Sequence, residues 1–238
     1  MASYLQTKAI VLSRRDVAEH DCLYTMMTEV RGKMEVRVRG ARKILSKLVP
    51  PLASIGIVRV LVYEGRSRPL LIGIETVERF RETGETLWRS QVAARFLRLV
   101  ELATRAESRD PELFNLLTDA LHMAEHTDVA HVGALRDAFI IQLLSHAGYR
   151  PELDACVQCR SSQTYAFSAG HGGVVCRDCV RDDVTAVSLS SHELESLRAH
   201  ASIPLAASSI LPKHDIGAFT QAMLRYRLET PLWFPAVA

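Results

Sequence analysis

Two cysteine pairs constrain this chain more than any other feature. Cys156-Val157-Gln158-Cys159 and Cys176-Arg177-Asp178-Cys179 are separated by 16 residues. Two CxxC knuckles at that distance supply four thiolates, the ligand set that closed tetrahedral zinc sites use. Tyr165–Ser168 between them reads as a short strand. Gly170, Gly172 and Gly173 permit the turn that returns the second knuckle to the first. The stretch therefore reads as a zinc ribbon, with one structural Zn2+ on Cys156, Cys159, Cys176 and Cys179. A thioredoxin-like motif would need one pair at a helix start in a βαβ unit, a setting neither pair has. A catalytic zinc would need an open coordination position, and four cysteines close it. Four thiolates also hold iron–sulfur clusters, an alternative that spacing alone leaves open. His171, flanked by glycines, reads as a solvated turn residue, and the lone Cys22 as a small buried apolar side chain.

The rest of the chain falls into a strand-rich third and a helical remainder. In Lys33–Gly40 the apolar residues Met34, Val36 and Val38 alternate with Lys33, Glu35, Arg37 and Arg39, the period of a half-buried strand. Lys8–Ser13, Asp21–Glu29, Ile55–Glu64 and Leu70–Glu78 read as four more strands, with a polar turn at Arg14–Asp16 and a loop at 41–54. Five short strands suit a small closed barrel, with an OB-fold first and an SH3-like barrel still open. Helical periodicity follows over 87–107, in a helix opened by Asp110-Pro111-Glu112, over 131–147, and over 215–229, and Ser190 with Glu193 forms a capping box. The expected architecture is multi-domain α+β: an OB-fold barrel at 1–80, an α-helical domain at 81–150 and 184–238, and the four-cysteine zinc ribbon inserted at 151–183. No stretch approaches the roughly 18–20 apolar residues of a membrane span, and the first residues lack the pattern of a signal peptide. A cytoplasmic protein with reduced thiols and no membrane partner is expected.

Charge is unevenly distributed. Residues 1–80 carry 14 Lys/Arg against 8 Asp/Glu, whereas the remainder carries 15 against 19. Arg31, Lys33, Arg37, Arg39, Arg42, Lys43 and Lys47 stand within one strand and the loop after it, opposed there only by Glu35, and Arg14 and Arg15 extend the patch. Such an array neutralises successive phosphates with little dependence on sequence. The alternative is a solvated strand face. Aromatics in this region are Tyr4, Tyr24, Tyr63 and Phe80 alone, so base stacking is expected to be a minor contribution. No phosphate loop, dinucleotide fingerprint, nucleophile elbow or HExxH motif occurs, and no enzyme activity is expected.

These residues together resemble the RecO family of bacterial recombination mediators and DNA repair proteins. Lys8–Ser13 is similar to that family's first strand. Asp21, Leu23-Tyr24-Thr25 and Thr28-Glu29, followed by Gly32-Lys33, are similar to its second strand. Gly40-Ala41-Arg42-Lys43 with Ser46-Lys47 resembles its basic loop. Gly148 to Cys159, Phe167-Ser168, Gly172-Gly173 and Cys176–Cys179 resemble its zinc module. The resemblance implies an OB-fold, a helical domain and a zinc ribbon in a nucleoid-associated bacterial factor. Such a factor binds single- and double-stranded DNA and anneals complementary strands. With RecR and the single-stranded DNA-binding protein it helps to load RecA. Two positions depart from the pattern: Arg160, where the family often has glycine, and Thr230–Pro235, which lacks the basic character common at that end. A zinc-ribbon adaptor between proteins, without annealing activity, is the alternative reading, and a nucleic-acid enzyme that uses the ribbon for grip is a third.

Overall fold

A computed structural model describes residues 3–228, apart from 44, 45, 47, 107, 182 and 211–214, and for 208–210 only the backbone. The chain divides into two compact units, Met1–His126 and Thr127–Ala238.

The first unit is built on five strands: β1 (Ser3–Asp16), β2 (Cys22–Thr28), β3 (Gly32–Val38), β4 (Gly56–Glu64) and β5 (Leu70–Arg79). They close into a barrel in the order β1-β2-β3-β5-β4, the OB-fold arrangement. Alternation puts Met34, Val36 and Val38 inside with Tyr24, Met26, Val58, Val60, Val62 and Leu71. Cys22 joins them and is fully buried. Two sequence expectations are corrected. Arg14–Asp16 is not a turn: β1 runs on through it, pairing Arg14 with Tyr24 and Arg15 with Leu23. Within the expected loop at 41–54 lies a short helix, α1 (Val49–Ala53), with proline in its first turn, where a missing N–H leaves no bond unmade. Its Leu52 packs into the barrel core.

Helices α2 (Arg81–Glu85), α3 (Leu87–Ala103) and α4 (Pro111–His126) complete this unit. Asp110 accepts from the Leu113 amide (2.9 Å) at the start of α4, the cap expected of Asp-Pro-Glu. The Glu125 carboxylate takes the Glu82 and Thr83 amides at the start of α2 (2.9 and 2.7 Å), which draws its pKa below the ordinary value against the opposing effect of burial. The C-terminal end of α3 crosses the barrel: Ser13 bonds Glu101, and the Lys33 ammonium donates to the carbonyls of Glu101 (2.7 Å) and Thr104. Gly32 makes that approach feasible. Its φ is +68°, and a Cβ there would stand 1.9 Å from the Ser108 carbonyl oxygen.

The second unit centres on α5 (Val132–His146), in which Phe139-Ile140-Ile141 and Leu143-Leu144 are fully buried, as all-round apolarity over those residues predicts. The ribbon sheet follows, in the order β7 (Gly173–Val175), β6 (Ala166–Ser168), β8 (Ala186–Ser188), and β8 is a strand the sequence reading lacked. Helices α6 (Ser191–Ser202) and α7 (Gly217–Leu228) close the unit, α6 with the expected capping box on Ser190 and Glu193. Thr230–Pro235 lies outside the described residues. The buried Asp137 is held by Arg136 (2.8 Å) and by the Thr220 hydroxyl (2.9 Å).

His200, on α6, is fully buried; one ring nitrogen bonds the Ser196 carbonyl (2.7 Å) and Nε2 has no hydrogen-bond partner among the described residues. Burial holds its pKa below the ordinary imidazole value of 6.5. The unfolded chain therefore takes up a proton before the folded one does. The stability this contributes is complete above about pH 6.5 and is lost as pH falls through the folded value. His200→Gln should flatten the decline in thermal midpoint between pH 7.5 and 5 relative to wild type. Parallel pH curves for the two proteins would refute the assignment.

Candidate metal centre and nucleic-acid surface

The ribbon brings its four cysteines to one point. The sulfur atoms of Cys156, Cys159, Cys176 and Cys179 all lie within 4.8 Å of one another, and Cys159 and Cys176 are 3.6 Å apart. Four sulfurs set tetrahedrally about 2.3 Å from a zinc ion would stand about 3.8 Å from each other, so the cluster has the dimensions of a closed thiolate site. Burial opposes ionisation of Cys156, but amide N–H groups of Cys159, Cys176 and Gln158 prevail and bring its thiol down to about 6. The thiols of Cys176 and Cys159 push Cys179 up to about 12. Against the Ser161 amide, which lowers it, the thiols of Cys156 and Cys176 raise Cys159 as well. A divalent cation is what would let all four ionise together.

The backbone explains how short strands hold this geometry. The Arg160 amide closes the first knuckle onto the Cys156 carbonyl (2.8 Å), and Arg160 takes φ +62° to do so. That left-handed conformation is strained for a side chain and free for glycine, the physical content of the departure at this position. Gly173 lies against the Glu152 carbonyl, 2.3 Å from where a Cβ would stand, letting β7 pair with the chain entering the first knuckle. His171 is 43% exposed in its side chain, as expected of a turn residue, but it is held at Nδ1 by Asp183 (2.9 Å) and Ser168 (3.1 Å). Asp183 stays well below the carboxylate range despite burial, because Ser168, Thr185 and His171 hydrogen bond to it. This serine–histidine–aspartate grouping is no catalytic relay. Both partners address the same ring nitrogen, and Ser168 is fully buried.

On the barrel the structure sorts the candidate DNA-binding residues by what they already hold. Lys33 is withdrawn: its ammonium caps α3, and burial lowers its pKa. Arg37 makes two bonds to Asp21 (2.9 and 2.7 Å), and Asp21 also accepts from the Gly40 amide (2.8 Å), so this arginine braces the loop after β3. The Gly40 amide and the Arg37 guanidinium hold Asp21 below its ordinary pKa. Arg14 pairs with Asp16, Arg15 with Glu35 and Arg31 with Glu64, each at 3.0–3.3 Å. Arg42 is 3.8 Å from Asp16. Arg39 and Lys43 are exposed and enter no ion pair among the described residues. Lys47 lies outside the described residues.

The fold adds two cations from the segment between the fourth and fifth strands. Arg66 and Arg68 sit in the β4–β5 loop, which closes on β3 through the Arg37 amide and the Pro69 carbonyl (2.8 Å), and Arg68 reaches Glu35 (3.5 Å). The loop's composition was visible, but its position beside β3 follows only from barrel closure. The Arg42 amide likewise bonds the His20 carbonyl (3.1 Å), joining the β3–α1 segment to the β1–β2 loop.

Residues 1–80 match the family model described as recombination protein O N terminal, and residues 85–233 the one described as recombination protein O C terminal. The chain belongs to the RecO family of recombination and DNA repair proteins. It is 32% identical to the DNA repair protein RecO of Symbiobacterium thermophilum over 203 residues, which is 83% of this chain and 79% of that protein. With the RecO of a Roseiflexus species it shares 30% over 232 residues, 94% of this chain and 81% of the other. The N-terminal match coincides with the barrel, and the C-terminal match contains all four cysteines. Among the described residues no helix is long and apolar enough to cross a membrane.

Proposed function

We propose that this protein binds single- and double-stranded DNA through its barrel and accelerates annealing of complementary strands without a catalytic site of its own. In this reading it works in the bacterial cytoplasm, at the nucleoid, with RecR and the single-stranded DNA-binding protein to load RecA, and Cys156, Cys159, Cys176 and Cys179 carry one structural zinc. Residues 1–80 engage DNA, and the ribbon at 151–183 and the helical parts at 81–150 and 184–238 support them. The observation that carries the reading is the pair Arg39 and Lys43, exposed and in no ion pair among the described residues, beside Arg42 on a barrel of OB topology. Arg14, Arg15, Arg31 and Arg68 are further cations of the barrel, already shared with acids. Two DNA strands repel each other, and a cationic surface that screens both lowers that repulsion.

The test is a double substitution of Arg39 and Lys43 to alanine, which leaves the Arg37–Asp21 brace intact. Loss of two phosphate contacts should reduce the salt slope of binding by about 1.4 on single strands and about 1.8 on duplex. Affinity should weaken alike for all base sequences, and annealing should slow in parallel, with no requirement for ATP. An unchanged slope in the folded double variant would move the DNA surface elsewhere. A second reading, a zinc-ribbon adaptor between proteins, is favoured by one observation: most arginines of the patch are already paired with acids. Tight DNA binding that leaves the annealing rate untouched would support it.

A further inference from the structure

Strand register puts an unassigned surface on another part of the barrel. Along the first half of β1, Tyr4, Gln6 and Lys8 point outward, because Leu5, Ala9 and their β4 neighbours Val58, Val60 and Val62 belong to the core. The pairing sets Tyr4 opposite Tyr63, Gln6 opposite Leu61 and Lys8 opposite Arg59. The Tyr4 and Tyr63 rings are 5.5 Å apart at 57°, and Tyr4 is 69% exposed. Gly65 turns the chain directly against the Tyr63 ring, and Arg66 follows it. On β5, Gly73 stands opposite Leu61 and adds no side chain to cover the stripe.

The charges along this stripe are uneven in a useful way. Of the acids nearby, Glu64 is engaged by Arg31 (3.2 Å) and Glu75 by Arg59 (2.7 Å), while Glu29, whose amide bonds the Lys8 carbonyl (3.1 Å), enters no ion pair among the described residues. Lys8 and Arg66 are exposed and enter no ion pair among the described residues. An aromatic pair is thus flanked by a free cation on each side, Lys8 lying about 13 Å along the strand from Tyr4. Tyr63 pairs with Leu70 and Leu70 with Arg37, so the aromatic end of the stripe adjoins the arginine-rich side of the barrel across β5. Arg66 is in the loop between them, while Lys8 lies at the far end.

We propose that Tyr4 and Tyr63, flanked by Lys8 and Arg66, form a stacking site for single-stranded DNA on the β1–β4 face of the barrel. Aromatic faces take up bases that are unstacked from one another, which only a single strand offers, and the cations meet the adjoining phosphates. In duplex the base faces are occupied by their neighbours. The site rests on the DNA-binding reading above and deepens it. With the stacking pair next to the cations around β3, the strand held there is selected for being single.

The experiment measures binding of the full chain to oligothymidylate and to a duplex of equal length, over a salt series. Tyr4→Ala should bind the single strand about ten-fold more weakly, with duplex affinity and both salt slopes unchanged. Tyr4→Phe should retain wild-type affinity, because the phenyl face stacks as well. Lys8→Ala should lower the single-strand slope by about 0.7. Wild-type affinity in Tyr4→Ala, or equal weakening on single strand and duplex, overturns the stacking site. If the Arg39/Lys43 substitution weakens binding while Tyr4→Ala does not, only this site falls. A wild-type chain that binds no DNA at all removes the broader reading with it.

Discussion

Stripping the metal should unfold the ribbon while the barrel keeps its protection. The reason is how little else holds the ribbon together. Its three strands have three residues each, and two of the four buried members of its core cluster, Cys156 and Cys176, themselves belong to the four-cysteine cluster that could hold the metal. Structural zinc supplies on the order of 10 kcal/mol or more to small thiolate modules, far beyond what so small a core contributes. Cys176→Ser, or treatment with a strong chelator, should remove about one zinc per chain. Hydrogen exchange in the full-length protein should then show loss of protection across residues 151–188, with residues 3–79 unaffected. Ribbon amides as protected in metal-free protein as before would defeat the structural role, and iron in place of zinc on elemental analysis would reassign the ion.

A single methyl group at position 32 should damage the first unit nearly as severely. Gly32→Ala adds a Cβ to a residue at φ +68° and drives it to 1.9 Å from the Ser108 carbonyl oxygen, a backbone atom that cannot rotate away. Relief requires the segment after α3 to leave β3, breaking the Lys33 bonds to Glu101 and Thr104 as well. The expected loss is about 3–5 kcal/mol, which lowers the thermal midpoint by about 10 °C. Gly84→Ala provides the control. An added methyl meets nothing within 4 Å at that exposed helical position, so stability should hold or rise slightly. Similar midpoints for the two variants would show that the approach of residue 108 to β3 contributes nothing.

The difference between these positions marks how far the sequence could be read. The CxxC spacing sufficed for the convergence of the four cysteines because two knuckles within a short chain have few ways to satisfy each other. The alternation of Met34, Val36 and Val38 sufficed for the direction of β3, since a slip of one residue would expose all three. The capping residues Asp110 and Ser190 were legible because their bonds are local. Cation number was legible too, but not cation availability. Arg37 and Lys33 look alike in an alternating strand, yet one braces Asp21 and the other caps a helix that begins more than fifty residues later.

From the sequence alone, then, came the four-cysteine cluster, the barrel with its helical remainder, and a basic first third. All of these depend on spacing or periodicity within a few residues. Tertiary structure alone decided which cations stay free, because ion pairs such as Arg15–Glu35 and Arg31–Glu64 join residues far apart in the chain. It also brought Tyr4 against Tyr63 across 59 positions, and set the β4–β5 loop beside β3. Barrel closure is a long-range event, and its register selects neighbours that no local pattern encodes.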